Sequence, residues 1–161
     1  MSFEFAVKGK YVVINDSSIG RGTEIWNFVN IYKSEIGKNC KIASHVEIGE
    51  SIIGDDCKIE AFAFIPPGTR IGNNVFIGPG VLFANDKYPH ADPIWEKGPI
   101  EVGDNVSIGI GVIILPNVTI GDHSFVAAGA MVTKSIPPYS FAMGRPAQCV
   151  SIEVFKKVGI L

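Results

Sequence analysis

An aliphatic residue returns every six positions along most of this chain. In order the positions are Ile19, Ile25, Ile31; Ile36, Ile42, Ile48; Ile53, Ile59, Ile65; Ile71, Ile77, Phe83; and, after a break, Val102, Ile108, Ile114; Ile120, Val126, Val132. Gly follows directly at Gly20, Gly37, Gly49, Gly54, Gly72, Gly78, Gly103, Gly109 and Gly121. Small or β-branched residues such as Thr23, Val29, Cys40, Val46, Cys57 and Ala63 stand four places after the aliphatic one. A period of six matches neither the two of a strand nor the 3.6 of a helix. It predicts an all-β parallel β-helix: short strands joined by tight corners, three to a coil, each sending one aliphatic residue inward. Eighteen units make about six coils.

The irregularities carry information of their own. Ile31 to Ile36 and Ile48 to Ile53 are five apart, and the long break follows Phe83. All three fall after the third position of a triplet. The corner after face three therefore tolerates changes of length, and residues 84–99 leave the prism there as a protruding loop. Residues 1–12 read as a strand-like cap, 13–147 as the β-helix, and 148–161 as a tail in which Ser151–Gly159 forms a short C-terminal helix. The whole of 1–161 reads as one domain.

Composition narrows the class. Hydrophobic residues make up 47% and charged residues 19%, as in a globular protein. A formal charge of −2 gives no electrostatic reason to expect nucleic acid. There is no apolar run of membrane-spanning length and no signal-peptide pattern at Met1–Phe5, so a cytoplasmic protein without a membrane span is expected. Three cysteines without paired spacing predict neither a disulfide framework nor a zinc site. Cys40 and Cys57 share an inward position on adjacent coils and read as stacked core residues. His45 and His123 sit at the same place in their units four coils apart, too far for one metal, and no metal is expected.

A closed prism leaves few places for chemistry, so its loop is the first candidate. Residues Ala84 to Pro99 are rich in hydrogen-bonding groups and carry Tyr88 and Trp95, whose rings need a surface such as a neighbouring subunit. His45 and Glu60, on the second face of coils two and three, are within reach of a small polar substrate.

Two segments carry a resemblance. Phe83-Ala84-Asn85-Asp86-Lys87-Tyr88-Pro89 is similar to the F-T-N-D-x-Y-P-R loop of hexapeptide-repeat acetyltransferases acting on nucleotide-linked 3-amino sugars. Gly129-Ala130-Met131-Val132-Thr133-Lys134-Ser135-Ile136-Pro137, followed by Gly144-Arg145-Pro146-Ala147, resembles that family's coenzyme A signature. The resemblance implies coils that wind left-handed, against the usual crossover rule. It implies an acetyl-CoA-dependent N-acetyltransferase working on the amine of a nucleotide-linked amino sugar, as a homotrimer with its site between neighbouring prisms. Asn85 is then placed at the reaction centre with Asp86 beside it. Lys87, Tyr88 and His90, together with His45 and Glu60, would contact the sugar. Gly109, Gly111, Ala128 and Gly129 would let the pantetheine arm approach, and Lys134 and Arg145 would meet its phosphates. His90 stands where relatives have Arg, and Pro67 where many have an acid. The alternatives are a sugar or xenobiotic O-acetyltransferase, whose loop carries Asn-His rather than Asn85-Asp86, and a non-catalytic scaffold using the flat faces.

Overall fold

The computed structural model describes residues 5–91, 96–151 and 153. The repeat folds as three parallel sheets forming the faces of a prism, the architecture expected of the left-handed parallel β-helix. The first face carries six strands, from Ser18–Ile19 to Val118–Ile120, and the third carries seven, from Val13–Asn15 to Met131–Val132. The second carries nine, beginning at Ala6–Val7 and ending in the hairpin Ser140–Met143 with Gln148–Ser151. Register explains the core. Ile25, Ile42, Ile59 and Ile77 pair in sequence across the second face, and all four are fully buried. Each inward Ile thus stacks on the Ile of the next coil, while backbone amides bond upward, as Glu24 N–H does to Cys40 C=O at 2.8 Å.

The prism has about seven turns, one more than the aliphatic repeat predicts. The added turn lies at the start, where Ala6 pairs with Glu24 and Ile14 with Ile31. Part of the expected cap is therefore a coil, disguised because Val7 to Ile14 to Ile19 does not keep the spacing. The expected C-terminal helix has a different beginning: Ser151 closes the antiparallel hairpin, paired with Ser140. Of the remaining stretch, Glu153 is helical, and residues 152 and 154–161 lie outside the described residues.

The length changes do fall at the corner between the third and first faces. Where that corner is one residue short, serines compensate. Ser17 Oγ accepts the Ser34 N–H at 3.0 Å and Ser34 Oγ the Ser51 N–H at 3.2 Å. Ser51 Oγ in turn has two carbonyl acceptors for its one proton, Gly49 at 2.7 Å and Pro66 at 3.0 Å. Hydroxyls replace the backbone partners that the missing residue would supply. Cys40 and Cys57 are buried at 0% and 1% exposure, as the repeat implies. Hydrogen bonding to Cys40 and burial hold the Cys57 thiol protonated, far above its ordinary range.

Candidate active site

The edge between the second and third faces has one positive-φ residue per coil. In order these are Tyr11, Phe28, His45, Phe62, Gly80, Gly111 and Gly129, with φ from 57° to 69°. Their amides bond to the same place in the coil below: His45 N–H to Asn27, Gly80 N–H to Ala61, Gly129 N–H to Ile110. The first four side chains are rings in a continuous stack, with centroids 5.1, 4.8 and 4.8 Å apart. The last three have no side chain. A Cβ added at Gly80 or Gly111 meets nothing within 4 Å. The ring stack thus gives way, on the same line, to an open trough.

Gly109, Gly111, Ala128 and Gly129 all lie along this trough. Gly109 packs so closely under Ala128 that a Cβ there would stand 2.6 Å from the Ala128 nitrogen. Arg145 caps the upper end: its Nε–H donates to Gly129 C=O at 2.6 Å. Lys134 is not with them. It follows the strand Met131–Val132, which separates it from Gly129 by the width of the third face. His45 stands inside the ring stack, between Phe28 and Phe62. Glu60, on the same edge, pairs with Lys58 at 2.8 Å.

The loop leaves from the opposite edge, between the third and first faces. Gly98 N–H donates to Asn85 C=O at 2.8 Å, which closes the loop's neck. The half-buried Asn85 side chain donates from Nδ2 to Pro67 C=O at 3.0 Å. Its orientation is therefore set, with the amide lying against the prism at the neck. Above it, Asp86, Lys87, Tyr88, His90, Glu96 and Asn117 surround a concavity of about 320 Å³. Asp86 Oδ1 accepts the Tyr88 N–H at 2.9 Å, which folds the start of the loop back on itself. Lys87 Nζ lies 5.5 Å from the Tyr88 ring centroid. Trp95 lies outside the described residues.

Apart from Lys134, the predicted residues therefore fall into two groups. One is Asn85, Asp86, Lys87, Tyr88 and His90 at the loop; the other is the trough with Arg145. Gly80 and Asn85 are five residues apart across one strand, so a single chain holds the groups up to about 17 Å from each other. His123, the third histidine, stacks on Tyr139 at 4.9 Å on the remaining edge. Among the described residues no cluster of three His, Cys, Asp or Glu side chains is placed to hold a metal ion. Sequence reasoning missed Gly80, Asn117 and Lys97. Gly80 was legible from its register with Gly111 and Gly129, but Asn117 meets the loop, and Lys97 meets the prism, only through folding.

Residues 50–85 and 99–134 match the family model described as bacterial transferase hexapeptide (six repeats). The chain is 42% identical over 85 residues to galactoside O-acetyltransferase of Escherichia coli, covering 50% of this chain and 42% of that enzyme. It thus spans about two fifths of the length of this enzyme and of a second curated relative it matches. A hexapeptide-repeat-containing acetyltransferase of Vibrio cholerae superposes with a TM-score of 0.59 at 29% identity, covering 83% of this chain and 72% of that one. PerB of Caulobacter crescentus, solved with CoA and GDP-perosamine, superposes at 0.66 with 23% identity, covering 94% of this chain and 59% of that one, and shows the shared fold.

Proposed function

We propose, from the hexapeptide-repeat acetyltransferase family that the matched coils and relatives support, that this protein is an acetyl-CoA-dependent N-acetyltransferase acting on the amine of a nucleotide-linked amino sugar. The observation that carries the coenzyme is the edge whose rings stop at Phe62 and whose last three rungs are glycines beneath Arg145. An extended pantetheine arm needs backbone it can approach closely, and its phosphates need a cation at one end. The trough offers both.

The amine's lone pair attacks the thioester carbon, the carbonyl oxygen takes up negative charge, and collapse expels the coenzyme thiolate, which collects the proton the amine releases. An amine already free of its proton is a good nucleophile, so positioning contributes most of the catalysis. Asn85 is the group to polarise the carbonyl, since Pro67 fixes its amide in advance of substrate. Asp86 and His90, on the wall of the loop concavity, orient the amine and take the extra proton of its ammonium form before attack. Because loop and trough occupy opposite edges of one prism, a complete site joins the loop of one chain to the trough of another, as in a homotrimer.

The identity to a galactoside O-acetyltransferase favours a second reading, acetylation of a sugar hydroxyl. A hydroxyl acceptor needs a base to remove its proton during attack, and Asp86 follows Asn85 where an Asn-His pair would supply one. The deciding experiment is thiol release from acetyl-CoA with matched panels of dTDP- and UDP-linked amino sugars and of neutral sugars. Turnover confined to the amino sugars is expected. Turnover with the hydroxyl acceptors alone would replace the first reading by the second.

A further inference from the structure

The return leg of the loop is tied to the prism two rungs below the loop itself. On the edge between the third and first faces, Lys33, Glu50 and Gly68 occupy successive positive-φ corners. Lys97 Nζ reaches down this edge to bond Glu50 Oε2, and Lys33 Nζ stands 3.9 Å from the other carboxylate oxygen. The rung between is Gly68, at φ +92°, where an added Cβ would lie 3.8 Å from Lys97 Cβ. The lysine stem thus passes over this rung at van der Waals distance. The hydrogen bond from Lys97 holds the Glu50 carboxyl below its ordinary range, with the Lys97 and Lys33 charges adding to it.

The same few residues hold the neck. Lys97 precedes Gly98, whose N–H bonds Asn85 C=O, and the Asn85 side chain bonds Pro67, the neighbour of Gly68. A continuous path of contacts thus runs from a carboxylate outside the loop to the amide placed at the reaction centre.

We propose that Glu50 is a positioning residue: by holding Lys97 it fixes the loop neck and, through it, the orientation of Asn85. The catalytic part of this proposal rests on the acetyl-transfer reading above. An exposed ion pair contributes little to global stability, whereas a small displacement of a reacting group can lower turnover by orders of magnitude. The pair's effect belongs in kcat rather than in melting temperature.

The test compares wild type, Glu50→Gln, Lys97→Met and the charge-exchanged double variant Glu50→Lys/Lys97→Glu. Hydrogen–deuterium exchange of the peptide spanning residues 85–98 is measured beside acetyl-CoA turnover with the amino-sugar panel. Either single variant is expected to exchange this peptide faster and to lower kcat about tenfold, with KM for acetyl-CoA and melting temperature unchanged. The exchanged pair is expected to restore both. Unchanged exchange in Glu50→Gln overturns the clamp even if the wild type transfers no acetyl group. Faster exchange with unaltered kcat in an active enzyme overturns the positioning role. An inactive wild type whose loop still loosens in Glu50→Gln keeps the clamp and rejects the acetyl-transfer reading.

Discussion

The rings of His45 and Phe62 lie 4.8 Å apart with their planes 6° from parallel. Each residue is held at positive φ, a conformation that costs a non-glycine residue about 1–2 kcal/mol. The rung above Phe62 is Gly80, and the stack ends there although the backbone keeps the same φ. Side-chain content, not backbone geometry, distinguishes the lower part of this edge from the upper.

That difference makes Gly111→Phe an informative variant. Phe28 and Phe62 already tolerate the same corner at φ 57° and 63°, and Gly111 sits at 65°. Nothing obstructs a Cβ at Gly111, so folding is expected to survive with a loss of about 1–2 kcal/mol from backbone strain. The new ring would stand in the trough, separated from the ladder by the bare rung at Gly80. Calorimetric titration with coenzyme A is expected to show at least a hundredfold weaker binding, about 2.7 kcal/mol. Undiminished binding would remove the trough from the proposed site.

Much of this molecule was legible before folding was considered, and the reasons are local. Ile25, Ile42, Ile59 and Ile77 announce the prism because one inward residue per face is all the core requires. Ile31 to Ile36, one residue short, announces the variable corner, and the loop does leave from it. The first coil was obscured because Val7, Ile14 and Ile19 keep no fixed spacing. The hairpin at Ser140–Ser151 was missed because its pairing is antiparallel and outside the repeat. The sequence motifs named both Lys134 and Arg145 as phosphate contacts, but only folding shows that the third face separates them. The tie between Lys97 and Glu50 spans 47 residues and leaves no periodic trace.

Glycines on the opposite kind of corner have another purpose. A Cβ on Gly72 would lie 2.4 Å from Asp104 Oδ1 and 2.8 Å from the Gly103 carbonyl carbon. That Asp104 oxygen also accepts the Asn73 N–H at 2.6 Å, one rung of a ladder that Asp122 continues by accepting the Asp104 N–H at 2.8 Å. Gly72→Ala must push both backbone and acceptor aside. It is expected to destabilise by about 1–3 kcal/mol, as overpacking does, read as a lowered midpoint in urea. An unchanged midpoint would show that the coils slide apart freely.

Thiol chemistry offers a check on the core. Cys40 and Cys57 are buried and Cys149 is exposed, so one thiol per chain is expected to react with a disulfide reagent in the native protein and three after unfolding. More than one reactive thiol in the native protein would take Cys40 or Cys57 out of the core.

Asn85 joins two contacts that a substitution can separate. Its backbone carbonyl closes the neck with Gly98 and survives any side-chain change, while its amide Nδ2 donates to Pro67. Asn85→Ala should therefore keep the loop in place, removing the amide and with it the proposed polarising donor. Loss of a single such donor lowers kcat by about a hundredfold to a thousandfold. Coenzyme A affinity is expected to be unchanged, since the trough belongs to the other edge of the third face. Asn85→Asp makes a sharper case. It keeps the shape but sets a carboxylate against the Pro67 carbonyl, so the side chain must turn away, and the anion it presents repels a carbonyl oxygen gaining negative charge. Turnover is therefore expected to fall at least as far as in Asn85→Ala. A retained kcat in Asn85→Ala would move the reaction centre to another residue of the loop, with Asp86 the first to examine.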